Sequence, residues 1–252
     1  MLAILLIAVI FGSGLLGMMG LGGGIVYVPL LSWWGLDFAT GAIPLSLFLG
    51  IATSSSAAYT YYRNGLVQTK TSLTAASTVL LGAPAGAWAM TVIPTGVVKV
   101  LFSAAAGYVV YSIFSTRDPV DRSAPLTVYR AWVILTIGFF VGFFSGLLGI
   151  GGGFLLVSFL LATGFPTRQA VATSSLVVVV SATAAFLSHL PHADFPIPTA
   201  LLLAAAALTG SRLGGLWVTH YARPRTLRII VGAIILVISL KMGWDGFFSL
   251  MK

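Results

Sequence analysis

The sequence contains no cysteine, which excludes disulfides, thiolate metal sites and cysteine nucleophiles. Glutamate is absent as well. The five carboxylates are Asp37, Asp118, Asp121, Asp194 and Asp245, and each stands near the end of an apolar stretch or in a connection, so none reads as a ligand inside a membrane. Charge of either sign is scarce, at 7% of 252 residues, against about 25% in soluble domains. What fills the space is apolar: 58% of residues, with a mean hydropathy of +1.06. A soluble fold is excluded. At roughly 20 apolar residues per span the length admits at most about ten to twelve crossings, and no connection is long enough for a soluble domain. The net charge of +8 comes from Lys and Arg that form neither a long run nor an aromatic-interleaved patch, so it points to membrane orientation and not to nucleic acid. The first span begins at Leu2, with no basic region or cleavage motif of a signal peptide.

The chain repeats itself. Gly17-Met-Met-Gly-Leu-Gly-Gly-Gly24 returns as Gly146-Leu-Leu-Gly-Ile-Gly-Gly-Gly153, 129 positions later. The same spacing pairs Val28 with Val157, Gly35 with Gly164 and Ser46 with Ser175, and a spacing shorter by one sets Gly82 and Gly86 on Gly210 and Gly214. Two copies of one unit follow, residues 1–115 and 129–252, joined by a polar, proline-bearing cytoplasmic linker at 116–128. Helices are expected at about 2–19, 25–34, 41–61, 72–92 and 96–115, and at about 129–148, 154–163, 169–189, 197–217 and 226–247. The second helix of each unit is too short to span alone, so the glycine run supplies the remaining depth as irregular backbone.

Charge decides how many crossings each unit makes. With five, Arg63, Lys70, Arg117, Arg122, Arg130, Arg168, Arg223, Arg225 and Arg228 share one side and only Lys99, Lys241 and Lys252 lie on the other. With four, the same charges divide nearly evenly. The positive-inside rule selects five. An odd number makes the copies inverted, with both termini outside and the chain in the cytoplasmic (inner) membrane. The expected fold is therefore an all-α integral membrane protein of two inverted-topology repeats, with glycine-broken short helices near the midplane. Inverted repeats with broken helices are a transporter signature.

Each glycine run ends at a helix start, whose first N–H groups have no helical partner and carry partial positive charge. Gly22, Gly23 and Gly24, with Gly151, Gly152 and Gly153, are the expected substrate-binding backbone, two helix N-termini facing one anion. Replacing Gly23 or Gly152 by Ala is expected to weaken anion binding and spare the fold. Hydroxyls on the third helices, Ser46 in one unit and Thr173, Ser174 and Ser175 in the other, add donors without fixed charge; Thr53, Ser54, Ser55, Ser56 and Ser181 share those helices. Arg212 is the lone basic residue within a span and is a candidate for attracting the anion. His189 and His192 read as interfacial, Gly82/Gly86 and Gly210/Gly214 as packing glycines. Gly12-Ser-Gly-Leu-Leu-Gly17 matches a dinucleotide fingerprint but follows no strand, and is dismissed.

These duplicated motifs, with Ala172-Thr-Ser-Ser-Leu176 and Gly210-Ser-Arg-Leu-Gly214, resemble the sulfite exporter TauE/SafE family. The resemblance covers nearly the whole chain and implies transport of sulfite, sulfoacetate and other organosulfonates. The first repeat departs from the pattern, with Ile43-Pro-Leu-Ser46 where the second has Ala172-Thr-Ser-Ser175. The expected function is secondary transport of small sulfur-containing oxyanions, an uncoupled anion channel or uniporter being the alternative. An intramembrane enzyme or assembly subunit ranks low, because no nucleophile with a base, carboxylate pair or metal cluster is available. The expected partners are a small anionic substrate and the lipid bilayer, with no cofactor, metal or nucleic acid. A coupling ion, H⁺ or Na⁺, and a homodimer are compatible with the sequence and not required by it.

Overall fold

The computed structural model describes residues 2–17, 19–115, 128–221 and 224–251, with backbone alone at 115, 128–130, 215–221 and 224–228. The linker expected at 116–128 lies outside the described residues up to its last position. So do Arg117, Arg122, Arg223, Lys252 and the side chains of Arg130, Arg225 and Arg228.

The described chain is helical throughout, with no strand. The first repeat holds α1 (Leu2–Gly17), α2 (Gly24–Trp33), α3 (Ile43–Arg63), α4 (Thr69–Val92) and α5 (Thr95–Ser115). The second holds α6 (Val128–Leu148), α7 (Gly153–Ala162), α8 (Thr167–His189), α9 (Ile197–Tyr221) and α10 (Pro224–Leu250). Seven segments are long and apolar enough to cross a bilayer, and the three shorter apolar helices are α1, α2 and α7. Ten residues rise about 15 Å, half of a ~30 Å hydrocarbon core, so α2 and α7 are half-helices as their sequences require. Ile4, Phe11, Trp88, Trp132 and Trp244 are exposed on the outside, a surface suited to lipid rather than water. The protein is a multi-pass membrane protein.

The two breaks have the same backbone. Gly20, Gly22 and Gly23 adopt φ of 67, 83 and 78°, and Gly149, Gly151 and Gly152 adopt 73, 74 and 70°. Only glycine enters this left-handed region without steric cost, so three such residues within four positions end the preceding helix and re-aim the chain before the next begins. The breaks also touch each other. Gly24 lies directly on the Gly149 carbonyl and Gly153 on the Gly20 carbonyl, a reciprocal contact between equivalent residues.

Beyond the half-helices the repeats fall out of step by one residue. In the first, Phe38–Ala42 forms a π turn that leads straight into α3; in the second, α8 begins at Thr167 with no such turn. The π turn is capped by Asp37, whose Oδ1 accepts from the backbone of Ala39 and Thr40, both at 2.9 Å. The Thr40 N–H leads in holding the Asp37 carboxyl below the usual carboxylate range, so the capping anion persists at neutral pH. A π turn absorbs one extra residue. The spacing between equivalents accordingly drops from 129 at Gly35 and Gly164 to 128 afterwards, and the expected pairing of Ser46 with Ser175 is corrected. Ser46 corresponds to Ser174: Ser46 Oγ bonds the Gly149 carbonyl at 2.9 Å, and Ser174 Oγ bonds the equivalent Gly20 carbonyl at 3.2 Å.

Small-residue seams set the helix directions. α4 and α6 run parallel, with Gly82 and Gly86 on the carbonyls of Phe139 and Phe143, and Gly138, Gly142 and Gly146 on those of Ala75, Val79 and Ala83. The equivalent pair α9 and α1 is parallel too, through Gly210 on Ile10 and Gly214 on Gly14. The equivalents α3 and α8 cross antiparallel, with the Phe48 and Phe186 rings 5.5 Å apart and Gly50 facing Ala182. α5 and α10 are antiparallel as well: Gly96 meets Leu250, Phe114 covers Gly232, and Ser103 and Ser239 exchange hydroxyl-to-carbonyl bonds of 2.7 and 2.9 Å. Since α1 parallels α9, α9 returns from α8 and α8 opposes α3, α1 and α3 point the same way, and α2 carries the chain back between them. Arg63, Lys70 and Arg168 therefore gather at one end, where Gln68 Nε2 donates to Gln169 Oε1 at 3.2 Å. Lys99, Lys241, Asp37, Asp194 and Asp245 gather at the other. There the Trp33 indole donates to Asp245 at 3.2 Å, the Lys241 ammonium lies 4.2 Å from the Trp33 ring centre, and Asp194 N donates to Thr40 O at 2.8 Å.

Candidate functional site at the paired glycine breaks

Two helix N-termini meet in the middle of the bundle. α2 opens at Gly24 after the left-handed Gly23, and α7 opens at Gly153 after the left-handed Gly152. Backbone bonds at the breaks run back into the preceding helices, Gly20 N to Gly17 O and Gly149 N to Ser145 O. On the forward side the first bonds are Val26 N to Gly23 O and Leu155 N to Gly152 O. The N–H groups of Gly24 and Ile25, and of Gly153 and Phe154, precede those bonds, and a helix offers its leading N–H groups no internal acceptor. With the dipoles of both half-helices they make a buried, positively polarised locus with no formal charge.

Of the expected hydroxyls, Ser46 and Ser174 reach the breaks, and both point at carbonyls. Ser46 donates to Ile43 O and Gly149 O, and Ser174 to Gly153 O at 3.0 Å and Gly20 O. Each is buried and holds a break carbonyl of the opposite repeat in place. Thr173 Oγ1 accepts from Gln68 N at 3.1 Å, while Ser175 returns its proton to Val171 O at 2.9 Å. Ser46 and Ser174 therefore position the breaks, Thr173 and Ser175 are engaged away from them, and the breaks themselves offer backbone N–H groups as donors.

The glycines also pack. A Cβ on Gly152 would run into the Val141 carbonyl and one on Gly23 into the ring of its own Tyr27. The expectation that Gly152→Ala spares the fold is thereby corrected, because a carbonyl on a packed helix cannot step aside. The space facing Gly22, Gly151 and Gly153 is taken by the methyl groups of the fully buried Val178. Hydropathy gave no sign of this, since Val178 sits in a run of four valines, residues 177–180.

Arg212 is not brought to the breaks. Its neighbours Gly210 and Gly214 take the contacts to α1, and Ser211 turns inward to donate to Thr53 O at 3.0 Å, while Arg212 is exposed beside exposed Leu213. We expect Arg212→Gln to leave anion affinity within about twofold of wild type, the surface value for a screened charge; titration of purified protein with sulfite checks it, and a tenfold loss would restore Arg212 to the site. His189 is buried at the far end of α8, its Nε2 2.6 Å from the Gly146 carbonyl, to which it donates. Among the described residues no three His, Cys, Asp or Glu gather as a metal cluster would.

Comparison with known proteins agrees with this architecture. Residues 4–242 match the family described as sulfite exporter TauE/SafE. A probable membrane transporter protein of Methanocaldococcus jannaschii is 28% identical over 94% of this chain and 94% of its own length. One of Bacillus subtilis is 34% identical over 51% of this chain, a match that spans about half of that relative, 48%. Sulfite exporter TauE/SafE family protein 3 of Arabidopsis thaliana is 25% identical over 63% of the chain and 34% of its own length. No solved structure matches.

Proposed function

We propose that this chain, which belongs to the sulfite exporter TauE/SafE family of membrane transporters, moves small sulfur-containing oxyanions such as sulfite and sulfoacetate across the cytoplasmic membrane. The observation that carries the reading is the reciprocal packing of the two glycine breaks, each opening a half-helix whose leading N–H groups have no acceptor within the helix. A sulfonate or sulfite accepts hydrogen bonds and donates few, which suits a site built of helix N-termini. The antiparallel crossing of α3 with α8 and of α5 with α10 supports inverted repeats, one rocking against the other about the breaks. The gathering of Arg63, Lys70 and Arg168 at one end supports a cytoplasmic position for that end and outside termini.

Uncoupled movement is favoured by one observation: the described carboxylates Asp37, Asp194 and Asp245 all lie at the end opposite Arg63, Lys70 and Arg168, away from the breaks. Outward movement of one negative charge across an inside-negative membrane releases about 2.3 kcal/mol per 100 mV, enough to drive export alone. In proteoliposomes we expect saturable sulfite flux that follows an imposed membrane potential and is indifferent to pH and sodium gradients. Flux that requires either gradient replaces the uniport reading with a coupled one. Absence of saturable flux for sulfite, sulfoacetate and methanesulfonate overturns the substrate class.

A further inference from the structure

Equivalent positions in the two repeats carry unequal partners. Tyr27 on α2 corresponds to Leu156 on α7 at the 129-residue spacing, and beyond the π turn Thr53 on α3 corresponds to Ser181 on α8 at 128. In the first repeat Thr53 donates to Leu49 O at 2.9 Å, and the Tyr27 hydroxyl, 2.9 Å away, donates to Thr53. In the second, leucine replaces the phenol. Ser181 is wholly buried and its hydroxyl has no hydrogen-bond partner. It does not turn back on its own helix, although Ser175, Thr183 and Ser188 of α8 all do, onto Val171 O, Val179 O and Ala184 O. A buried hydroxyl without a partner is a standing cost that a folded protein normally removes.

Its position gives that cost a use. Val178 precedes Ser181 by one helical turn, on the same side of α8, and its methyl groups lie against Gly22, Gly151 and Gly153. Ser181 thus stands one turn along α8 from the residue laid against both breaks. We infer that Ser181 donates its hydroxyl proton to the transported oxyanion. The second repeat then supplies a side-chain contact that the first has given up, since the oxygen of Thr53 is already engaged by Tyr27. The inference rests on the anion reading above and adds to it a specific donor and an asymmetry.

The test separates the two. Wild type, Ser181→Ala and Ser181→Cys are purified in detergent, and thermal stability and affinity for sulfite and methanesulfonate are measured on the same samples. Ser181→Ala removes a hydroxyl that has no protein partner, so its melting temperature is expected to match or exceed that of wild type, while the dissociation constant for both anions rises about tenfold or more, the loss of a hydrogen bond to a charged group. Ser181→Cys keeps the shape with a weaker donor and is expected to lie between. Wild-type affinity in Ser181→Ala overturns the inference and leaves the transport reading standing; should that variant not fold, wild-type affinity in Ser181→Cys does the same. Wild-type protein that binds neither anion removes the transport reading, and this inference with it.

Discussion

Gly24→Ala and Gly153→Ala, a single methyl group each, are expected to abolish recovery of folded, monodisperse protein from detergent. Neither residue is among the glycines of positive φ, so the cost is not conformational. It is steric, and the neighbour is backbone. A Cβ on Gly24 would press into the Gly149 carbonyl and stand 2.7 Å from the Ile150 Cα; one on Gly153 would press into the Gly20 carbonyl and stand 2.6 Å from a Val178 methyl. Those carbonyls are fixed by Ser46 and Ser174, so relief requires the two repeats to separate at their common centre. Overpacking a core with a methylene typically costs about 1–3 kcal/mol, and more where backbone must shift. Folded domains hold only about 5–15 kcal/mol in total. Gly65→Ala is the control, because Gly65 has φ of 67° and nothing within 4 Å of an added Cβ. It should cost about 1–2 kcal/mol and stay folded. Size-exclusion profiles and melting curves of the three variants decide the matter: a monodisperse Gly24→Ala melting with wild type would mean that the breaks do not pack as described.

The contrast between those glycines shows what the sequence could and could not disclose. The triplets and their repetition marked two broken helices, and the ten-residue apolar runs after them fixed the half-helices to within a residue at their starts. Contacts across the bundle were hidden. Gly24 and Gly149, or Gly153 and Gly20, meet only because the repeats face each other, and no local pattern records that. The step from 129 to 128 was visible at Gly82 and Gly210 but could not be placed, because a π turn at Phe38–Ala42 carries no hydropathic mark. Placing it on the wrong side of Ser46 gave the wrong mate. Arg212 misled for a related reason. In a soluble helix the polar face is the outer face, but in a membrane helix both faces are apolar and the period is flat, so direction must come from small residues. Here Gly210 and Gly214 take the inward face and leave Arg212 outside. Val178 lies among identical neighbours, and Ser181 lacks the partner that Tyr27 gives Thr53 because Leu156 stands in the equivalent place.

Val178 should govern which sulfur oxyanions fit. Its counterpart across the repeats is Gly50, so α3 has no side chain at the position where α8 sets two methyl groups against Gly22, Gly151 and Gly153. Val178 is the apolar side chain that faces Gly22, Gly151 and Gly153 together. Val178→Ala withdraws both methyl groups, at a stability cost of about 1–3 kcal/mol for the gap left behind, and opens room beside the half-helix starts. Val178→Ile adds one. A methylene in a selective apolar pocket changes discrimination by roughly 10–200-fold, so the ratio of kcat/KM for sulfoacetate to that for sulfite is expected to rise about tenfold in Val178→Ala and to fall in Val178→Ile. Sulfite, the smaller anion, serves as the internal reference, because a variant that merely lowers the amount of active protein scales both substrates together and leaves the ratio fixed. Competitive flux of the two anions in the same proteoliposomes measures the ratio directly. Equal ratios in wild type, Val178→Ala and Val178→Ile would place the size filter elsewhere, whereas opposite shifts in the two variants follow only if the anion passes Val178 on its way to the breaks.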